Sequence, residues 1–163
     1  QMVPPDHPRC MEVYRACADL GLPVLWHCGP VDIEPPIGRW CSQLKHYWSA
    51  VQQNPSTTFV LGHSGALQFE QGLELARHYG NVWLELSSQG LHNVRRLVKE
   101  APEGRLMFGS DWPFYHPALP LAKLLVATED CPEQRGRILF DNAARLLGLK
   151  RPEPPPSARG ADA

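Results

Sequence analysis

Four apolar runs of strand length recur along the chain, each preceded by a stretch of helical periodicity. The first, "LPVLWHC" (22–28), follows "CMEVYRACADLG" (10–21), where Met11, Val13, Tyr14, Cys17, Ala18 and Leu20 mark a helical face. Gly21 sits where a helix C-cap belongs, and Pro23 suits the first residues of a strand. The second run, "TTFVLGH" (57–63), follows a segment in which Trp40, Leu44, Tyr47, Trp48 and Val51 fall at helix spacing, and "NPS" (54–56) stops that helix. The third, "NVWLELS" (81–87), comes after the helical pattern of "LQFEQGLELARHYG" (67–80), and the fourth, "RLMFGSD" (105–111), after "LHNVRRLVKEAPEG" (91–104). Strands alternating with helices predict the α/β class: parallel strands, right-handed crossovers and helices covering the sheet. Farther on, "LPLAKLLVA" (119–127) and "CPEQRGRILFDNAARLLGL" (131–149) are helical by period and are expected to pack on the last strand. The chain thus divides into one α/β unit over 1–149 and a proline-rich end over 150–163, too poor in apolar residues to bury anything and expected to be a disordered tail.

In parallel α/β folds the active groups stand at the carboxyl ends of the strands. His27, His63 and Asp111 each end an apolar run, and Glu85 inside the third run, with Ser87 and Ser88 at its end, extends that rim with further polar groups. Each has an ordinary structural reading. A lone strand-end histidine is more often a hydrogen-bonded core residue, His63 fits equally a cap for the helix that follows, and Asp111 before "WPF" fits an N-cap or Asx-turn residue. The recurrence of two histidines and an aspartate at one phase of successive units favours a shared site over independent capping. His7, His46, His78 and His92 fall outside this phase and read as surface or packing residues. His116, five residues beyond Asp111, is within reach of the rim as a substrate contact, as is Trp112. Trp26 and Phe114 fit either a pocket wall or the core, and Cys28 fits a small buried thiol better than a soft ligand.

Charge narrows the partners. With 16 Lys+Arg against 17 Asp+Glu the chain offers no basic field for nucleic acid or an anionic membrane surface, and neither is expected as a partner. The 5 cysteines form an odd set without a C-x-x-C pair, against a disulfide framework and in keeping with a cytoplasmic protein. No apolar run approaches the roughly 20 residues that cross a bilayer.

The segments "LPVLWHCG", "TFVLGHSGA", "NVWLELSS", "RLMFGSDWPF" and "ILFDNAARLLGL", in this order, resemble the C-terminal half of the metal-dependent amidohydrolase superfamily, in particular its amidohydrolase-related branch. The resemblance implies half of a (β/α)8 TIM barrel, with strands equivalent to five through eight. It makes His27 the metal-binding histidine of the fifth strand, His63 the sixth-strand histidine that orients or deprotonates the attacking water, and Asp111 the eighth-strand aspartate, a metal ligand and proton acceptor. The implied activity is that of a hydrolase in which a divalent ion, with zinc first in expectation, activates a bound water for attack on a carbonyl. Non-oxidative decarboxylation occurs in the same branch. One departure is large: the His-x-His pair that the family carries on its first strand occurs nowhere in this sequence. His27 and Asp111 supply two ligands where a catalytic zinc usually has three. A homo-oligomer or the missing N-terminal half would then complete the barrel, and a non-catalytic half-barrel remnant or assembly subunit is the remaining alternative.

Overall fold

The computed structural model describes residues 3–150, so that 151–163 of the expected tail lie outside the described residues. The four runs form one parallel sheet in the order β1 (Val24–His27), β2 (Phe59–Gly62), β3 (Val82–Glu85) and β4 (Leu106–Met107). The connections carry the helices α1 (Pro8–Asp19), α2 (Pro36–Cys41), α3 (Leu44–Gln53), α4 (Phe69–His78), α5 (Leu91–Glu100), α6 (Ala118–Ala127), α7 (Pro132–Gly136) and α8 (Asn142–Leu147).

Strand alternation sends every second side chain to opposite faces. One set, Trp26, Phe59, Leu61, Val82, Leu84 and Leu106, enters the main core with Tyr14, Leu44, Leu73 and Leu97 from the helices. Phe59 stacks on Trp26 with ring centroids 4.1 Å apart, and Tyr14 meets Phe59 edge-on at 5.2 Å. Of these, Phe59, Leu61, Val82, Leu84, Leu44, Leu73 and Leu97 are fully buried, and each contributes about 1.5–3 kcal/mol by leaving water. Val60, Trp83 and Met107 form a second cluster, closed by Ala143 and Leu146 near the C-terminus. Leu25 belongs to that same face by alternation and is 69% exposed, because β1 is an edge strand with no neighbour beyond it among the described residues.

Gly21 terminates α1 as its pattern predicts: at φ 66° it lets the Leu22 N–H return to the Cys17 carbonyl at 2.8 Å. Three elements differ from the pattern. Trp40 lies in the short α2, separate from α3, since the chain breaks at Ser42 and Gln43. The fourth run keeps only two residues in the ladder, because the Phe108 N–H leaves it for the Ile138 carbonyl at 2.9 Å. That same contact accompanies a widened turn in the expected 131–149 helix, which otherwise runs on without a gap from Pro132 to Leu147. Residues Arg137–Asp141 open into a π-helical turn between α7 and α8, and the buried Asn142 side chain donates to the Leu106 carbonyl at 2.8 Å. The last helices are therefore tied to β4 by backbone bonds as well as by packing.

Candidate active site

The carboxyl ends of the four strands share one rim, and the backbone there is unusually constrained. All six non-glycine residues with positive φ among the described residues lie in the loops that leave the strands: Asp32 after β1, His63, Ser64 and Ala66 after β2, Ser88 after β3, Asp111 after β4. Left-handed backbone costs such residues of order 1–3 kcal/mol each, and it persists where surrounding bonds enforce it. The turn after β2 shows how. Buried Gln89 donates its amide to the His63 carbonyl at 2.6 Å and the Ala66 carbonyl at 3.2 Å, while its own carbonyl accepts from Lys123 Nζ at 2.9 Å. Ser64, fully buried, donates to the Glu85 carbonyl at 2.8 Å.

Four side chains meet within this frame. His63 Nε2 lies 3.2 Å from His27 Nδ1, and His63 Nδ1 lies 2.8 Å from Ser87 Oγ. Ser87 donates its hydroxyl to Glu85 Oε2 at 2.6 Å and its N–H to Oε1 at 2.6 Å, and the His63 N–H reaches Oε2 at 3.1 Å. The Glu85 carboxylate packs against Gly109, where any Cβ would overlap it. Tyr47 fixes the end of β1 by donating to the His27 carbonyl at 2.6 Å, and burial raises its phenol far above the ordinary range, so that it stays a donor. Asp111 Oδ2 accepts from Ser88 Oγ at 2.9 Å.

The enclosure provided by the surrounding protein, ahead of the charge of His63, pushes the His27 imidazole below its ordinary value, with Glu34 and Asp111 pulling in the opposite direction. A neutral imidazole is the form that binds metal. His27 Nε2 and Asp111 Oδ1 make no hydrogen bond among the described residues, and both residues line the same cavity. In donor chemistry, one imidazole and one carboxylate, they fit part of the shell of a divalent cation. They do not fit all of it, since among the described residues no group of three His, Cys, Asp or Glu side chains is placed to hold an ion.

The cavity has a volume of 540 Å³. His27, His63, Glu85, Ser87 and Asp111 line its polar end, and Leu25, Val60, Met107 and Leu146 its apolar end. His27 also borders a smaller hollow of 320 Å³ walled by Tyr14, Trp26 and Tyr47. Thus the structure brings His27, His63 and Asp111 to one cavity, with Glu85 and Ser87 between them. Trp112, 67% exposed, and His116, whose Nδ1 accepts from the Ala118 N–H at 3.2 Å and so caps α6, are outside the residues lining it. Trp26 is a core residue, its indole donating to Tyr14 at 3.1 Å. Cys28 is fully buried, and burial raises its thiol well above the ordinary range, which removes it as a ligand. Of the remaining histidines, His7 caps α1, His46 pairs with Asp6 at 3.2 Å in the interior, and His78 packs on Trp48. Gln89 and Gly109 carry no signal in the sequence that marks them. Their roles depend on partners more than twenty residues away.

A family model described as amidohydrolase matches residues 1–149. No curated protein matches the chain in sequence. Among solved structures, an amidohydrolase 2 from Bifidobacterium longum subsp. infantis is similar at 20% identity and a TM-score of 0.66, covering 88% of this chain and 56% of its own. A TIM-barrel protein from Bordetella bronchiseptica matches at 23% identity and 0.69, covering 90% and 52%. A dihydroxybenzoic acid decarboxylase from Polaromonas sp. JS666, solved with manganese and the inhibitor 2-nitroresorcinol, matches at 16% identity and 0.67, covering 92% and 57%. The chain thus spans about half the length of these barrels, and its four-stranded sheet corresponds to half of one.

Proposed function

The chain belongs to the amidohydrolase family, and from that membership we propose that it carries one half of the catalytic rim of a metal-dependent hydrolase acting on a carbonyl-containing small molecule. The observation that carries the reading is the placement of His27, His63 and Asp111 around a single cavity at the carboxyl end of a parallel sheet. His27 and Asp111 are the residues to hold a divalent cation, of which zinc is our first choice. When bound, such an ion polarises a carbonyl and makes water a nucleophile near neutral pH. His63, whose Nδ1 is engaged by Ser87 and whose Nε2 faces His27, is the residue to orient the attacking water. Asp111, held by Ser88, is a proton acceptor on the same wall. The apolar end of the cavity offers a surface on which the body of the substrate can bury apolar area.

Decarboxylation is the second reading. It draws support from the apolar wall formed by Leu25, Val60, Met107 and Leu146, which suits a flat ring, and from the fold shared with a manganese-containing decarboxylase. Both readings require at least one further ligand, contributed by a second copy of the chain or by additional strands that continue the sheet past its β1 edge.

Calorimetric titration with zinc and manganese tests the shared premise. Binding is expected for the wild-type chain and is expected to fall at least about tenfold for the His27→Ala, Asp111→Asn double variant, the loss of two ligands among few. Equal affinity in the two proteins refutes the site. A coupled assay then separates the chemistries: a hydrolase yields a new carboxylate from an ester, lactone or amide, and a decarboxylase releases carbon dioxide from an aromatic acid.

A further inference from the structure

The chemistry proposed above gives Glu85 and Ser87 no step. Their hydrogen bonds nevertheless have a direction. Both oxygens of the Glu85 carboxylate accept backbone N–H groups, Oε1 that of Ser87 at 2.6 Å and Oε2 that of His63 at 3.1 Å. The group next to Oε2 is the Ser87 hydroxyl at 2.6 Å, and it donates. A hydroxyl has one proton. Having donated it to Glu85, Ser87 Oγ meets His63 Nδ1, 2.8 Å away, only as an acceptor, and so Nδ1 must carry the ring proton. A neutral imidazole has one such proton, which leaves His63 Nε2 bare. His27 Nδ1, 3.2 Å from it, is then the donor, and the proton of His27 also sits on Nδ1.

We propose that Glu85, acting through Ser87, sets the tautomers of both histidines, placing the proton of each on Nδ1 and leaving His27 Nε2 as the lone pair presented to the cavity. Glu85 and Ser87 are positioning residues in this scheme. Free histidine prefers the proton on Nε2, so the arrangement runs against the intrinsic preference twice and needs an acceptor at the head of the chain. Glu85 is that acceptor, and Gly109 is what makes room for it, since a side chain there would displace the carboxylate. Reverse the polarity and His27 Nε2 becomes an N–H, unable to ligate anything. The tautomer assignment stands on hydrogen bonding alone; its weight for ligand binding rests on the cation reading above.

Two-bond proton–nitrogen correlation spectra of 15N-histidine-labelled, metal-free protein, recorded above the pH range in which imidazoles titrate, read the tautomers directly. For wild type, His63 and His27 are both expected with the protonated-type resonance at Nδ1 and the bare-type resonance at Nε2. Ser87→Ala is expected to return both rings toward the Nε2–H form, and Ser87→Thr, which restores the hydroxyl, to keep the wild-type pattern. An Nε2–H form of His63 in wild type, or an unchanged pattern in Ser87→Ala, overturns the proposal even if a variant is poorly folded, because the first result needs no variant. Adding zinc to wild type separates the two ideas: tautomers as assigned with His27 Nε2 unmoved by zinc refute the cation reading and leave the relay standing, whereas a zinc-shifted His27 beside a His63 Nε2–H refutes the relay alone.

Discussion

Gly62 offers the sharpest test of how the two histidines are brought together. It pairs with His27 in the β1–β2 register, and a Cβ built on it would lie 2.6 Å from the Trp26 carbonyl oxygen. Its backbone, φ −57° and ψ 138°, suits any residue, so Gly62→Ala brings no conformational strain and acts only through that contact. Carbon and oxygen approach comfortably no closer than about 3.3 Å, a deficit of roughly 0.7 Å. The obstruction is backbone on a paired strand, which no rotamer can relieve. β1 is an edge strand and has to yield outward. Displacing it by that deficit opens the His27–His63 contact from 3.2 Å to about 3.9 Å, beyond hydrogen-bonding range. Overpacking of this kind costs about 1–3 kcal/mol, equivalent to a fall of about 2–12 °C in Tm for a chain of this size. Thermal unfolding followed by circular dichroism, beside histidine ring spectra, measures both effects. Gly80→Ala, where a Cβ meets nothing within 4 Å, is the comparator and is expected to melt with wild type. If Gly62→Ala melts within about 1 °C of wild type with unchanged His27 and His63 resonances, the close strand approach is not what sets the histidine contact.

Two further predictions concern stability away from the rim. Gly136 ends α7 with helical φ −59° and ψ −44° and open space around its missing side chain, so Gly136→Ala is expected to raise stability by about 1 kcal/mol in urea unfolding with an unchanged m-value. The Glu100 carboxylate is drawn down to about 2, first by its hydrogen bond to Arg96, with Arg77 adding to it. A depressed folded value means the unfolded chain binds the proton more tightly. The stabilisation is therefore complete above the unfolded carboxylate value of about 4.3 and is lost as pH falls toward 2, so Glu100→Gln should flatten the acid limb of a Tm-versus-pH curve in low salt, and an unaltered limb refutes the assignment.

The apolar runs ending in His27, His63 and Asp111 needed no structure to be found, because a buried parallel strand is a continuous hydrophobic string and its end is where the string stops; that the third strand ends at Glu85, inside the run 81–87, came only with the structure. The parallel sense of the strands and the phase that brings His27, His63 and Asp111 to one rim follow from that repetition and from the handedness of crossover connections, while the sequential order of the strands was implied only by the family resemblance. The main core was legible for the same reason: Trp26, Phe59 and Leu84 sit at alternate positions of strands, and Leu44, Leu73 and Leu97 at helical spacing. Length was harder to read. The run 105–111 looks like a full strand, yet only Leu106 and Met107 keep the ladder, and the segment 131–149 looks like one helix, yet it opens at Arg137–Asp141. Both departures come from a single long-range bond, Phe108 N–H to the Ile138 carbonyl, which no local pattern encodes.

What the sequence determined by itself is the kind of groups available and the end of the sheet at which they stand, since period and strand length are local properties of the chain. What only the tertiary structure decided is how those groups are wired: Ser87 between Glu85 and His63, Gln89 behind the turn, Gly62 and Gly109 where another residue would force strand or carboxylate aside. Hydrogen bonds have a length and a direction, and residues twenty or more apart in sequence acquire both only when the sheet sets them side by side. The same holds for the proposed ligand set. His27 and Asp111 were recognisable singly, but whether a third donor joins them is a question of what stands across the cavity, and hydrophobic periodicity along one chain contains no term for that.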